Sequence, residues 1–206
     1  MEIKKAYKKA FKYLESDPVM KYLISKFGRE INIEDRYNKN YAKAIAELII
    51  EQQISFKVAI SIKKKFNHLI SGMTNNEILE INDSKLKGIG ISRMKVKYIK
   101  NVYQYFLDNN INFDSLDNDK IINELTTIKG VGSWTAEMFL IFILFRENIF
   151  SKKDIALLNS IKLNYNIETL NDKILNNLIK SWAPYNTYAS LILWKSIEEK
   201  IFFKKN

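Results

Sequence analysis

Cysteine is absent from the 206 residues, and histidine occurs once. Without a thiol, disulfides, thiolate nucleophiles, cysteine-ligated zinc and iron–sulfur clusters are excluded. The single His68 follows Lys63, Lys64, Lys65 and Phe66 at an expected helix end, where a solvated last-turn position suits it better than the role of general base. Ser-His-Asp hydrolysis and histidine-rich metal sites fit poorly, and no metal site is expected. Long hydrophobic runs are missing too. The longest, residues 138–145, falls well short of the roughly 18 residues that cross a membrane and reads as a buried core helix. The N-terminus MEIKKAYKKAFKYL has lysines but neither the apolar stretch nor the small-residue cleavage site of a secretory signal, which predicts a cytoplasmic protein with no membrane partner. Acid–base or electrostatic chemistry by a carboxylate is what these absences leave open.

Lysine and arginine total 33 against 23 aspartate and glutamate, a net charge of +10. Such a surface attracts polyanions, nucleic acid first among them. The hydrophobic content of 47% is ample for a core.

No strand-like alternation persists anywhere; segments of helical period separated by short turns predict an all-α protein. Ile3, Ala6, Tyr7, Ala10, Phe11 and Leu14 form one apolar face, with Lys4, Lys5, Lys8, Lys9 and Lys12 as a solvated basic face. Ser16-Asp17-Pro18 opens a second helix that Gly28 ends. A longer helical segment over 41–66 puts Ile45, Leu48 and Ile49 inward, and is interrupted by the adjacent amides Gln52 and Gln53, with Ser55 as the cap of its second half. Solvent exposure is the plainer account of a pair of glutamines; the sharper one is a pair of amides facing a ligand, since amides read base edges. Thr74 and Glu77 form a capping-box pattern ahead of a helix expected over 74–86. In LKGIGISRMKVKYIKNVYQYF a Gly88-Ile89-Gly90 turn and Ser92 precede a helix with Met94, Tyr98 and Val102 inward and Arg93, Lys95, Lys97 and Lys100 outward. A short helix follows over 119–126.

Residues 125–145, LTTIKGVGSWTAEMFLIFILF, repeat that plan more strongly. Gly130 and Gly132 flank Val131 and predict a tight turn with positive backbone dihedrals, Ser133 capping a helix that starts at Trp134. Backbone N–H groups gathered at a helix start form an anion site that suits a DNA phosphate without base preference, and Lys129 adds a charge beside it.

This stretch resembles the helix–hairpin–helix of the DNA glycosylase superfamily whose hairpin is followed by a Gly/Pro-rich loop and a catalytic aspartate. SWTAEMF is similar to its alkylbase branch, the 3-methyladenine DNA glycosylase II proteins. LESDPVMKYLISKFG, AELIIEQQIS and WAPYNTYASLILW agree with the same family, and together the motifs span roughly residues 13–195. The resemblance implies one domain with two helical lobes flanking a cleft, lobe A formed by 1–54 and 149–206 and lobe B by 55–148. It implies a catalytic role for Asp154, which the residues alone would make an N-cap. It also implies a base pocket of Trp134, Met138, Trp194 and Gln52, with Gln53 filling the gap left in the duplex, and DNA contacts from Lys129, Gly130, Val131, Gly132 and Ser133. Trp182 reads as core. Superfamily members that nick the strand place a nucleophilic lysine where this chain has Trp134, so a monofunctional enzyme is expected. No cofactor is implied beyond a structural monovalent or divalent cation at the hairpin–phosphate contact. The expected partner is double-stranded DNA with damaged bases, met by a monomer associated with the nucleoid.

Three departures stand out. Ser151-Lys152-Lys153 replaces the usual proline or glycine ahead of Asp154. Asn186 stands where a basic residue is common, which predicts a lost hydrogen bond or charge pair. Met138 stands where an aromatic often lines the pocket. Two other functions fit parts of the pattern: a non-catalytic DNA-binding or damage-sensing module built on the same hairpin, and a glycosylase for oxidised bases such as 8-oxoguanine.

Overall fold

A computed structural model of the chain describes residues 2–204, and the side chains of all of these except residues 2–6 and 56. Among the described residues there is no strand, and no helix is long and apolar enough to cross a membrane. The chain divides into two compact units, residues 1–35 with 145–206 and residues 36–144.

The first unit opens with α1 (Glu2–Leu14) and α2 (Pro18–Phe27). Tyr7, Ala10 and Leu14 of α1 are buried, as their spacing predicts, while the side chains of Ile3, Lys4, Lys5 and Ala6 lie outside the described ones. Asp17 caps α2 by accepting from the Val19 and Met20 N–H groups, Pro18 needs no acceptor there, and Gly28 ends the helix.

A 3-10 turn at Ile33–Arg36 spans the boundary, and the second unit continues with α3 (Tyr41–Glu51), α4 (Phe56–Leu69), α5 (Asn75–Leu79), α6 (Asp83–Gly88) and α7 (Arg93–Asp108). A 3-10 turn at Phe113–Ser115, α8 (Asn118–Thr126) and α9 (Ser133–Phe142) complete it. The chain then returns to the first unit as α10 (Ile155–Tyr165), α11 (Asp172–Trp182) and α12 (Asn186–Glu199). There α12 packs against α10, α2, α1 and α11. A buried Ser160, Asn164 and Ser196 cluster ties α10 to α12, with Ser160 and Ser196 hydroxyls 2.8 Å apart.

The division differs from the expected lobes. The helix α3 packs against α7, α9 and α4, so the first crossing falls before residue 36 instead of after 54, and the second falls after 144. Ala42, Ala44, Ala46 and Ile50 are buried along with Ile45, Leu48 and Ile49, so α3 needs neighbours on most sides. Tyr41, Phe113 and Phe139 meet edge to face with centroids 5.3 to 5.5 Å apart and anchor this packing.

Two helix boundaries are also corrected. The expected helix over 74–86 is two, because Asn82 accepts from the Ser84 N–H and starts α6 afresh; the Thr74–Glu77 box is formed as predicted. On α7 the inward residues are Val96, Ile99, Val102 and Tyr103, whereas Met94 is 50% exposed. Lys95, expected outward, is half-buried.

Candidate DNA-binding hairpin and carboxylate site

The second hairpin is built by backbone geometry. After α8, Val131 N–H donates to the Ile128 carbonyl (2.9 Å), which closes the turn, and Gly130 adopts φ +108°. A Cβ at Gly130 would sit 2.1 Å from Cγ of Tyr98, so glycine is required both by dihedral and by the ring of α7 beneath it. Gly132 is different. Its φ of −98° and ψ of 176° are extended, and a Cβ there would meet nothing within 4 Å. It is also the N-cap itself: α9 begins at Ser133, and no side chain caps it, so the expected Ser133 cap and second positive dihedral are not found. The fold therefore explains Gly130, while Gly132 keeps an uncapped helix start bare toward the outside. Val131 is buried and Lys129 exposed.

Behind the hairpin, α9 is buried on nearly every side. Met138 is 1% exposed and Phe139 fully buried, so the methionine expected as a pocket wall offers no open surface. Trp134 is half-exposed one turn nearer the hairpin.

The two glutamines separate. Gln53 is exposed in a left-handed conformation (φ 56°). Gln52, expected in the pocket, instead turns its carboxamide to the hairpin: Nε2 donates to the Gly130 carbonyl (3.3 Å) and to Thr135 Oγ1 (2.9 Å). The end of α3 beside them is tied down by residues that no sequence motif singled out. Glu51 accepts from Lys63 and from Arg36 (3.2 Å), and the Arg36 guanidinium lies 4.4 Å over the Phe142 ring. Lys95 Nζ donates to the carbonyls of Ile50 (2.9 Å) and Gln52 (2.5 Å). Three cations thus meet the negative end of α3. Ser55 stands at the N-cap of α4 without a side-chain cap bond.

The carboxylate site belongs to the other unit. Asp154 is the N-cap of α10 and only 8% exposed; its Oδ1 accepts from the Leu157 N–H (2.9 Å) and from the Trp194 indole N–H on α12 (3.2 Å). Both bonds fix the orientation of the carboxyl group at the helix start. The next residue, Ile155, is 74% exposed. Trp194 therefore faces the carboxylate with its N–H edge. The loop without proline or glycine is held otherwise: Asp154 N–H donates to the Ser151 carbonyl, Ser151 is fully buried, and Lys152 donates to Asn176 (2.8 Å). At position 186, Asn186 Nδ2 donates to Asn148 Oδ1 (2.6 Å), while its own Oδ1 is buried without a hydrogen-bond partner. Trp182 is 1% exposed, its N–H on Asp17, in agreement with a core role, and His68 is exposed in the last turn of α4.

The family pattern described as HhH-GPD superfamily base excision DNA repair protein matches residues 46–184, from α3 through α11 to the loop after it. A Schizosaccharomyces pombe DNA-3-methyladenine glycosylase 1 is 26% identical over 188 residues, 87% of this chain and 82% of the relative. A Bacillus subtilis relative named for 3-methyladenine glycosylase activity is 29% identical over 162 residues; the match covers 73% of this chain and 56% of that protein, so this chain spans about half its length. Among solved structures, the S. pombe 3-methyladenine DNA glycosylase in complex with abasic DNA superposes with a TM-score of 0.85 at 25% identity, covering 92% of this chain and 97% of that one.

Proposed function

The chain belongs to the HhH-GPD superfamily of base excision DNA repair proteins, and from this we propose that it is a monofunctional DNA glycosylase that releases alkylated purines from double-stranded DNA. The buried, doubly hydrogen-bonded Asp154 carboxylate carries the reading. Purines of the 3-methyladenine and 7-methylguanine type already bear positive charge, so the bond from the base nitrogen to C1′ breaks with its electron pair leaving on a neutral base. Positive charge then develops on the sugar, where a nearby carboxylate stabilises it. Water adds its hydroxyl to C1′ and releases its proton to solvent. The target base must first leave the stack, which a weakly paired lesion does most easily. Half-exposed Trp134 is offered as an electron-rich face for the cationic base.

The uncapped start of α9 and Lys129 bind phosphate in this reading. A bridging monovalent or divalent cation is proposed with them: the carbonyls of Ile128, Lys129 and Gly130 each accept one protein hydrogen bond and keep a second lone pair. It would neutralise phosphate charge. We place the protein with cellular DNA in the cytoplasm, as a monomer.

Release of free methylated purine from alkylated duplex tests the proposal. Wild type releases base, and Asp154→Asn slows release at least about a hundredfold; equal rates overturn the assigned chemistry. Borohydride trapping of a covalent DNA adduct would instead indicate a lyase, against Trp134.

A further inference from the structure

The two hairpins align in sequence register on their positive-φ glycines, Gly90 and Gly130. Ile91 then matches Val131, both buried, and Ser92 matches Gly132, the two N-caps. One difference separates them: Ser92 caps its own helix by accepting from the Lys95 N–H, whereas α9 has no side-chain cap. The first hairpin has thus satisfied part of its helix start internally, which suits a structural part.

Three residues into each helix the register brings together Lys95 and Thr135, and both grip Gln52. Lys95 holds its main-chain carbonyl, and Thr135 holds its side-chain amide. Gln52 is the last residue before Gln53, which is exposed in the left-handed region. A left-handed glutamine costs about 1 kcal/mol or more unless its surroundings impose it. Here they do so from both sides. The Lys95 ammonium has no carboxylate partner among the described residues; its bonds go to the Ile50 and Gln52 carbonyls at the end of α3. Burial pushes it below the usual lysine value, a cost that the position bears for the sake of those two bonds.

We infer that Lys95 is a positioning residue for base extrusion: with Thr135 it clamps Gln52 between the two hairpins and so fixes the turn that presents Gln53 to the duplex. The inference rests on the glycosylase reading, in which Gln53 fills the gap left by the flipped nucleotide. It removes Gln52 from the base pocket and gives the first hairpin a task.

The experiment compares wild type, Lys95→Met, Gln53→Ala and the double variant on two substrates. One is an alkylated duplex, read as the single-turnover rate of base release. The other is a duplex with 2-aminopurine beside a tetrahydrofuran abasic analogue, read as the fluorescence change when a side chain enters the stack. Lys95→Met is expected to lower the rate roughly ten- to hundredfold and to abolish most of the fluorescence change. Its affinity for undamaged duplex should be unchanged, and the double variant should be no slower than Gln53→Ala. A wild-type fluorescence response in Lys95→Met, or rate losses that simply multiply in the double variant, overturns the inference. If Lys95→Met does not fold, Thr135→Val releases the other grip without touching a charge, and the same outcomes decide. Failure of wild type to release any methylated base overturns the glycosylase reading alone, because the abasic-analogue comparison still decides whether Lys95 sets the turn.

Discussion

Gly130 and Gly132 stand two residues apart and answer to different constraints. Alanine at 130 must adopt φ +108° and drive its methyl into Tyr98, so Gly130→Ala should cost roughly 2 to 5 kcal/mol of stability, measured by denaturant unfolding. Alanine at 132 meets nothing and needs no unusual dihedral. Gly132→Ala should therefore unfold within about 0.5 kcal/mol of wild type, yet bind duplex DNA about tenfold more weakly if a phosphate approaches that helix start. Unchanged affinity would remove the hairpin from the DNA contact. Trp194 offers a second residue-scale test. Phenylalanine keeps the ring but loses the N–H on Asp154, and Trp194→Phe should slow base release roughly tenfold at unchanged duplex affinity. A loss of affinity with an intact rate would return Trp194 to a simple binding wall.

At the scale of elements, the starts of helices carry much of the local order. In the box at α5, Glu77 accepts from both the N–H and the hydroxyl of Thr74, and those bonds hold its carboxyl below the usual glutamate value. A carboxyl lowered on folding contributes stability above its unfolded pKa and loses it as pH falls through the folded one. The melting-temperature gap between wild type and Glu77→Gln should accordingly be present at pH 7 and shrink on acidification below about pH 4.5. A gap that persists at pH 2 would show that the carboxylate charge is not what matters. The same logic separates the two hairpins: Ser92 caps its own helix, whereas the helix from Ser133 begins without a side-chain cap.

At the scale of the whole molecule, the net charge of +10 should make duplex binding steeply salt-dependent, with log affinity falling linearly in log salt. Replacing exposed Lys129 by alanine should lower that slope by about 1. A slope unchanged by this variant would place the phosphate contacts elsewhere on the basic surface.

What the sequence determined alone was whatever depends on neighbours within a few residues. Helical period, the Asp17, Thr74 and Asp154 caps, the ends at Gly28 and the positive dihedral at Gly130 all follow from short-range sterics and hydrogen bonding, and so were legible. The missing cysteines excluded thiolate and iron–sulfur chemistry, and the tryptophan at 134 set the expectation of no Schiff base. What only the tertiary structure decided depends on partners far along the chain. That Gln52 faces Thr135 and Gly130, that Lys95 points at carbonyls 43 and 45 positions earlier, and that Trp194 lends its N–H to Asp154 could not be read from spacing. The physical reason is that a side-chain amide, an ammonium or an indole can bond to many acceptors, and packing alone selects one.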